Sequence, residues 1–165
     1  MTKLAGILWD MDGTLADTGD LHYQSWLDIL PQYGLTITRE LFDKTFGLPL
    51  NEIVKIMFQD AYNPELLGTI GAEKEASFRV ALRGKLQTLP GVKKLIQTFK
   101  DEKIPQAVAS SAPQENVDAV LDELNFRPDF QAGVCATNMP GKPDPSVFLA
   151  AARAIRAAPQ NCVVL

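Results

Sequence analysis

Two aspartates stand one residue apart behind a short apolar run near the start of the chain, in the stretch GILWDMDGTLADT. Asp10 and Asp12 would therefore lie at the end of a buried strand, where an isolated carboxylate costs free energy. Carboxylates occupy such positions when they coordinate a metal ion or take part in catalysis. The pair is a candidate functional site, although Asp12 followed by Gly13 is also compatible with a plain surface turn.

Two other kinds of binding loop are excluded by the residues around these positions. A calcium-binding EF-hand loop requires glycine at its sixth position and glutamate at its twelfth. These positions are occupied here by Leu15 and Leu21. A nucleotide-binding loop requires another glycine five residues before its Gly-Lys pair. Gly141–Lys142 lacks that glycine and is followed by Pro143.

Composition limits the class of protein. The chain has 165 residues, 46% hydrophobic and 22% charged, which suits one ordinary domain, or one domain with a modest insertion, and excludes a disordered chain. The net charge is −4 without a basic block, so we expect no nucleic-acid partner. No segment has the apolar length that a membrane partner requires. Cys135 and Cys162 lie far apart without metal-ligand spacing, which is typical of proteins in a reducing compartment, so we expect a cytoplasmic protein. We also expect it to be a monomer.

The residue pattern changes twice along the chain. Residues 4–10 predict a strand, and residues 20–87 space their apolar residues by three and four, which predicts a block of helices. Thr38 and Asn51 are expected to cap helices in this block, and Gly34 to end one. The last helix of the block is predicted at residues 72–87. The remaining elements are predicted as helices at 92–103, 114–125 and 145–157 and as strands at 105–110, 130–136 and 161–165.

Strands that alternate with helices predict an α/β fold, a parallel sheet with helices on both faces. We expect a core from residues 1–16 and 88–165 and an inserted all-helical cap from residues 17–87. In an open parallel sheet, ligands bind at the edge where the strands end. That edge would gather residues that are distant in the sequence, namely Asp10, Asp12, Ser110, Ser111 and Lys142.

Three short segments carry a family resemblance. DMDGTLADT at 10–18, VASSA at 108–112 and GKPDP at 141–145 resemble, in order, the first three sequence motifs of the haloacid dehalogenase superfamily. The resemblance covers nearly the whole chain and points to the branch of β-phosphoglucomutase and small sugar-phosphate phosphatases, which carry a helical cap. It implies a Rossmann-like parallel core and a magnesium-dependent phosphatase that acts on a small phosphorylated metabolite through an aspartyl-phosphate.

The resemblance also implies roles for the residues of the first motif. Asp10 would be the nucleophile and, with the backbone carbonyl of Asp12, a ligand of Mg²⁺. The side chain of Asp12 would protonate the leaving oxygen and later activate water. Gly13 and Thr14 would let backbone amides approach the phosphoryl group, because glycine presents no side chain there.

The second and third motifs would bind the phosphoryl group. By resemblance, Ser110 would donate a hydrogen bond to a phosphoryl oxygen, and Lys142 would supply compensating positive charge. Ser111 is a further candidate for the phosphoryl group, with a helix-capping serine as its alternative. The alternative for Lys142 is a solvated loop lysine.

Substrate specificity would come from the cap, which closes over the site and excludes water. His22, the only histidine, and Lys74 are candidates for contact with substrate. The alternatives are packing of His22 beside Trp26 and an ordinary charged helix face that includes Lys74 and Arg79.

Leu50 and Pro113 favour a phosphatase over a phosphomutase. Mutase-like members of the family carry basic residues at these positions, where they grip the second phosphate of a bisphosphate. An aliphatic side chain and a proline cannot do so, although a phosphomutase of the β-phosphoglucomutase type stays the alternative.

The resemblance implies one further motif, an acidic pair after the last strand that supplies another magnesium ligand. The chain stops at Leu165, one residue before that pair should begin. We therefore expect the sequence to be truncated at its C-terminus. The alternative is a shortened relative that binds phosphorylated ligands with little catalysis.

Overall fold

The computed structural model describes residues 3–48, 50–58, 64–137 and 139–165. The chain divides into two compact units. The first, here called the core unit, runs to Asp17 and resumes from Leu86 to Leu165. The second, here called the cap unit, is Thr18–Lys85. The cap unit is thus inserted into the core unit between its first and second strands.

The core unit is built on a parallel sheet of four strands in the order β3-β2-β1-β4. Its elements are β1 (Gly6–Trp9), α5 (Val92–Asp101), β2 (Gln106–Ser110), α6 (Gln114–Glu123), β3 (Ala132–Cys135), α7 (Ser146–Ala154) and β4 (Cys162–Val164). The register pairs Leu8 of β1 with Ala107 of β2 and with Val164 of β4. The predicted α/β class with a parallel sheet is confirmed.

Side chains that alternate along the strands bury both faces of this sheet. Leu8 and Ala109 belong to a core cluster that includes Val147 of α7. The neighbouring Trp9 contacts Phe99 of α5, with ring centroids 6.3 Å apart. Helices therefore cover both faces, and this is why the central strands β1 and β2 are mostly apolar, while Asp10 and Ser111 directly follow them.

A buried hydrogen-bond chain fixes the face that carries Trp9. The indole Nε1 of Trp9 donates to Gln106 Oε1 at 3.0 Å, and Gln106 Nε2 donates to the carbonyl of Ile96 at 3.2 Å. Trp9 and Gln106 are each 1% exposed. Because buried polar atoms without partners are costly, this chain ties β1, β2 and α5 together.

The cap unit is helical in every described element. Its helices are α1 (Gly19–Ile29), α2 (Arg39–Thr45), α3 (Leu50–Phe58) and α4 (Pro64–Ala81). Helices α1 and α4 pack against each other. One cluster of buried residues in this unit contains Trp26, Leu30, Ile37, Phe42, Val54 and Ile70.

Two expectations for the cap unit are confirmed and two are wrong. Thr38 caps α2, since its Oγ1 accepts a hydrogen bond from the amide of Leu41 at 3.2 Å, and Gly34 ends the segment after α1 with a φ of +68°. Asn51 lies inside α3 rather than at its start. Helix α4 begins at Pro64, eight residues earlier than its apolar pattern predicts, because a proline favours the first helical position while two glycines in the first half weaken the pattern.

Candidate active site

Asp10 directly follows β1 and is held by both its backbone and its side chain. Its amide donates to the carbonyl of Leu165 at 2.9 Å, which continues the pairing between β1 and β4. Its Oδ1 accepts from the amide of Met11 at 2.7 Å and from Lys142 Nζ at 2.6 Å. Both recorded contacts of the carboxylate go to Oδ1. Within the described residues, Oδ2 is therefore the oxygen open to a ligand, on a side chain that is 33% exposed.

The segment after Asp10 is a tight loop pinned by buried residues. Met11 and Leu15 are fully buried, and the carbonyl of Met11 accepts from the amide of Leu15 at 3.0 Å. Gly13 has a φ of +75°, a conformation that favours glycine because it has no Cβ. The loop thus fixes the backbone of Asp12, whose side chain is half-buried.

The amides of this loop are partly used within it. The Gly13 amide donates to the carbonyl of Ala16 at 2.9 Å, and the Thr14 amide lies 3.4 Å from the carbonyl of Met11. Gly13 therefore contributes its unusual backbone conformation, while its own amide is engaged. That these two amides contact a phosphoryl group stays a prediction.

Ser110 and Ser111 stand at the end of β2. Ser110 is fully buried, and its Oγ accepts from the amide of Ala112 at 3.0 Å, which leaves its hydroxyl hydrogen to donate elsewhere. Ser111 Oγ is buried and has no hydrogen-bond partner among the described residues. The N-cap position of α6 is Pro113, so the alternative of a helix-capping Ser111 is wrong.

Lys142 reaches back from the loop before α7 to the end of β1. Its Nζ lies 2.6 Å from Asp10 Oδ1 and 3.4 Å from the carbonyl of Ala109, and its side chain is 22% exposed. It is therefore an ion-paired group at the sheet edge, and the alternative of a solvated loop lysine is wrong. The Ala109 carbonyl is a contact that sequence patterns do not reveal.

Asp144 stabilises the start of the helix that follows Lys142. Its Oδ1 accepts from the amide of Ser146 at 2.9 Å and also from the Ser146 hydroxyl. These hydrogen bonds lower the pKa of the Asp144 carboxyl below its ordinary value, with the side-chain bond the larger cause. Because it is committed to the beginning of α7, Asp144 serves the loop that presents Lys142.

A buried polar cluster lies inside the cap unit and contains both cap residues predicted from sequence. Lys74 Nζ lies 2.8 Å from His22 Nδ1 and 2.9 Å from Glu75 Oε1. His22 is 6% exposed and stacks on Phe78, with ring centroids 3.8 Å apart. Lys74 is 5% exposed and lies over the ring of Trp26 at 5.5 Å. Lys74 is thus not on a solvated helix face, and the ring against which His22 stacks is that of Phe78 rather than Trp26.

Sequence reasoning did not single out Glu75 or Phe78, although their spacing carries a signal. Phe78 follows Lys74 by four positions, which puts the two on one helix face. Glu75 is adjacent to Lys74 in a charged run that resembles an exposed surface, yet its side chain is only 13% exposed. Whether His22 and Lys74 contact a substrate stays a prediction.

Comparison with known proteins places this arrangement in a family. Residues 7–165 match the model of the haloacid dehalogenase-like hydrolases. The chain belongs to this family. The fructose-1-phosphate phosphatase YqaB of Escherichia coli is 30% identical over 98% of this chain and 86% of its own length. The β-phosphoglucomutase of Bacillus subtilis is 26% identical over 98% of this chain and 74% of its own. The predicted family membership is confirmed.

Solved structures of related proteins share the fold. A structure of CbbY from Rhodobacter sphaeroides in complex with phosphate has a TM-score of 0.87 at 24% identity, covering 98% of this chain and 76% of that one. The β-phosphoglucomutase of Clostridium difficile has a TM-score of 0.85 at 22% identity, covering 98% and 75%. With relatives named as phosphatases, this haloacid dehalogenase-like hydrolase is an enzyme of the phosphatase type.

The oxygen atoms at the end of β1 suit Mg²⁺. This cation takes oxygen ligands, often only one or two carboxylates from the protein, and keeps several waters. Oδ2 of Asp10 is open, and the backbone carbonyl of Asp12 stands in the same pinned loop. No cluster of three or more acidic, histidine or cysteine side chains occurs in the described part of the chain, so further ligands from such a cluster are not at hand. These oxygens therefore fit a Mg²⁺ ion that keeps part of its water shell.

Of Leu50 and Pro113, the two residues that favour a phosphatase over a phosphomutase, the structure describes the side chain of Pro113. Pro113 stands immediately before α6 and is half-buried. The side chain of Leu50 lies outside the described residues.

The hydrolase contains, over the residues described, no helix of the length and apolar character that membrane crossing requires.

Proposed function

We propose that this protein is a magnesium-dependent phosphatase that cleaves a small phosphorylated metabolite, such as a sugar phosphate, through an aspartyl-phosphate intermediate. The observation that carries the proposal is the contact of 2.6 Å between Lys142 Nζ and Asp10 Oδ1 at the end of β1. It joins a nucleophilic carboxylate to a fixed cation, which are the two groups that phosphoryl transfer requires first. The phosphatase names of related proteins support the same reaction.

Asp10 is the nucleophile in this proposal. Because Oδ1 is occupied by Met11 and Lys142, Oδ2 is the oxygen that forms the new bond to phosphorus. The bond between phosphorus and the ester oxygen breaks as the carboxyl of Asp12 gives that oxygen a proton. Water then attacks the aspartyl-phosphate, Asp12 accepts a proton from it, and inorganic phosphate leaves with Asp10 restored.

The phosphoryl oxygens are bound by groups that are already in place. Lys142 supplies a positive charge that does not need to reorganise, since it is anchored before the substrate arrives. Ser110 has a hydroxyl hydrogen to donate, and the unpartnered Ser111 Oγ is a second donor at the same strand end. Gly13 and Thr14 complete this set if their amides turn from their present acceptors to the phosphoryl group.

The Asp10 carboxylate and the backbone carbonyl of Asp12 would hold Mg²⁺, which would neutralise negative charge on the phosphoryl group. His22 and Lys74 of the cap unit would provide contacts with the metabolite. The positive charge of Lys74 would attract an anionic substrate. We further propose a cytoplasmic monomer without a membrane partner and without a nucleic-acid partner, the last of which agrees with a net charge of −4.

A phosphomutase is the second candidate, favoured by the similarity to the β-phosphoglucomutase of Bacillus subtilis. A mutase must hold a second phosphate while the sugar reorients, and Pro113 offers no cation for it. The two reactions differ in their products. Net release of inorganic phosphate identifies a phosphatase, and exchange between sugar monophosphates without release identifies a mutase.

The proposal is tested by measuring phosphate release from a panel of sugar monophosphates, with Mg²⁺ and with a chelator. We expect release only with Mg²⁺ and none from Asp10→Asn, which keeps the shape of the side chain but removes the nucleophile. Asp101→Asn is the matched control, since the side chain of this exposed residue of α5 accepts a hydrogen bond from Gln97. Binding of these esters without turnover by the unmodified protein would show a binding module instead.

A further inference from the structure

The Lys142 ammonium has a third neighbour besides the Asp10 carboxylate and the Ala109 carbonyl. Its Nζ lies 4.9 Å from the centre of the Phe148 ring, inside the distance of about 6 Å over which a cation is attracted to an aromatic face. We propose that Phe148 is a positioning residue, which holds the Lys142 ammonium in place for the phosphoryl group. This inference rests on the proposed function and adds a residue to it.

Phe148 is well placed to be a fixed support. It lies in the first turn of α7, two residues after Ser146. Its half-buried ring packs against the core cluster that contains Leu8, Ala109 and Ala151. The position of the ring is therefore set by the packing of α7 on the sheet. Lys142, by contrast, belongs to a loop, and its long side chain has many rotamers to lose.

A neutral ring suits this position better than another carboxylate would. The recorded contacts of Lys142 Nζ place one formal negative charge, that of Asp10, beside two neutral partners, the carbonyl of Ala109 and the ring. When Asp10 carries the phosphoryl group, its own charge no longer holds the ammonium. The two neutral partners then keep Lys142 beside the phosphoryl oxygens without cancelling its charge. The contribution of Phe148 should thus be largest once phosphate is bound.

The geometry can be tested without any turnover. Protons above an aromatic face resonate upfield. In an NMR spectrum of protein labelled with ¹³C at the lysine ε-carbons, the signal of the Lys142 ε-methylene should therefore be shifted upfield. Loss of that signal in Lys142→Arg assigns it. Phe148→Leu should move it to the range of the solvent-exposed lysines. An unshifted Lys142 signal in the unmodified protein would overturn the inference.

The energetic contribution is tested by fluorination of the ring. Replacement of Phe148 with 3,4,5-trifluorophenylalanine nearly preserves its size but removes the negative potential of its face. The control is the same replacement at Phe126, which packs against Phe130 with ring centroids 6.4 Å apart. We expect the dissociation constant for inorganic phosphate, measured calorimetrically with Mg²⁺, to rise by about three- to tenfold at position 148 and to stay unchanged at position 126.

Failure of this inference is distinguishable from failure of the proposed function. Unchanged phosphate binding after fluorination of Phe148, or a loss that merely follows a lower melting temperature, means that the ring only packs. The phosphatase activity would then stand without Phe148. If no ester is hydrolysed but the ring-current shift and the effect on phosphate binding are present, Phe148 positions Lys142 in a binding protein. If the unmodified protein neither hydrolyses an ester nor binds phosphate, both proposals are wrong.

Discussion

Replacement of Lys142 by methionine separates the catalytic from the structural contribution of the ion pair at the sheet edge. Methionine is unbranched like lysine and can occupy much the same space. It removes the ammonium that lies 2.6 Å from Asp10 Oδ1. The substitution therefore tests charge at this position with little change in packing.

The expected effect on stability is small. The side chains of Lys142 and Asp10 are 22% and 33% exposed, so water can solvate the carboxylate that remains. Partly exposed ion pairs contribute roughly 0–1 kcal/mol to the free energy of unfolding. We therefore expect a loss of at most about 1 kcal/mol for Lys142→Met.

The expected effect on catalysis is much larger. Lys142 is anchored beside the nucleophile before substrate binds, and removal of one such preorganised group raises the barrier by roughly 3 kcal/mol. Since about 1.36 kcal/mol corresponds to a tenfold change in rate, kcat/KM should fall more than a hundredfold. Activity should thus fall far more than loss of folded protein can explain.

The assay compares kcat/KM for a hydrolysed sugar monophosphate with the unfolding midpoint in urea. Lys100→Met is the matched control, because Lys100 pairs with Asp129 in the same unit at side-chain exposures of 51% and 15%. It should leave kcat/KM unchanged. The reasoning is refuted if Lys142→Met keeps full activity, or if both variants lose activity in proportion to the folded protein they lose.

Other substitutions test how the site and the two units are held. Lys74→Met should lower the free energy of unfolding by roughly 2–4 kcal/mol, because it removes a buried ammonium that lies 2.9 Å from Glu75 Oε1, a contact in which the two side chains are 6% and 13% exposed; urea unfolding measures this, and adding Glu75→Gln should restore part of it. Gln106→Leu should cost about 1–3 kcal/mol for each buried group left without a partner, one of them the Trp9 indole; unchanged urea unfolding would contradict this. Gly13→Ala should cost about 1–2 kcal/mol, since φ is +75° and a Cβ there meets open space, so that any loss comes from the backbone rather than a clash; thermal unfolding measures it. The lowered pKa of Asp144 adds stability that is present above the ordinary pKa of the carboxyl and is lost as the pH falls through its folded value, so Asp144→Asn should flatten the acid side of the stability profile; an unchanged profile would show that the hydrogen bonds from Ser146 to Asp144 do not form.

Local sequence determined most of the secondary structure. The apolar run before Asp10, the period of three and four in the cap helices and the alternation after Gly91 are all short-range patterns, so the parallel sheet followed from them. The predicted start of α4 and the predicted capping role of Asn51 were wrong because they, too, rested on short-range patterns alone. Weak helix-forming residues early in α4 hide a helix that tertiary packing maintains, and a good capping residue does not prevent α3 from beginning before it.

The residue types likewise indicated the chemistry of the site, whereas the tertiary structure determines which of these residues contact one another. The spacing of Asp10 and Asp12 after a strand marked a site without any fold. That Lys142 pairs with Asp10 from 132 residues away depends on how the parallel sheet brings strand ends together. The burial of Lys74 and the unpartnered Ser111 hydroxyl also depend on packing between elements. A sequence specifies which groups are present and which periods they follow, but the burial and partners of a long side chain depend on distant residues that only the fold brings together.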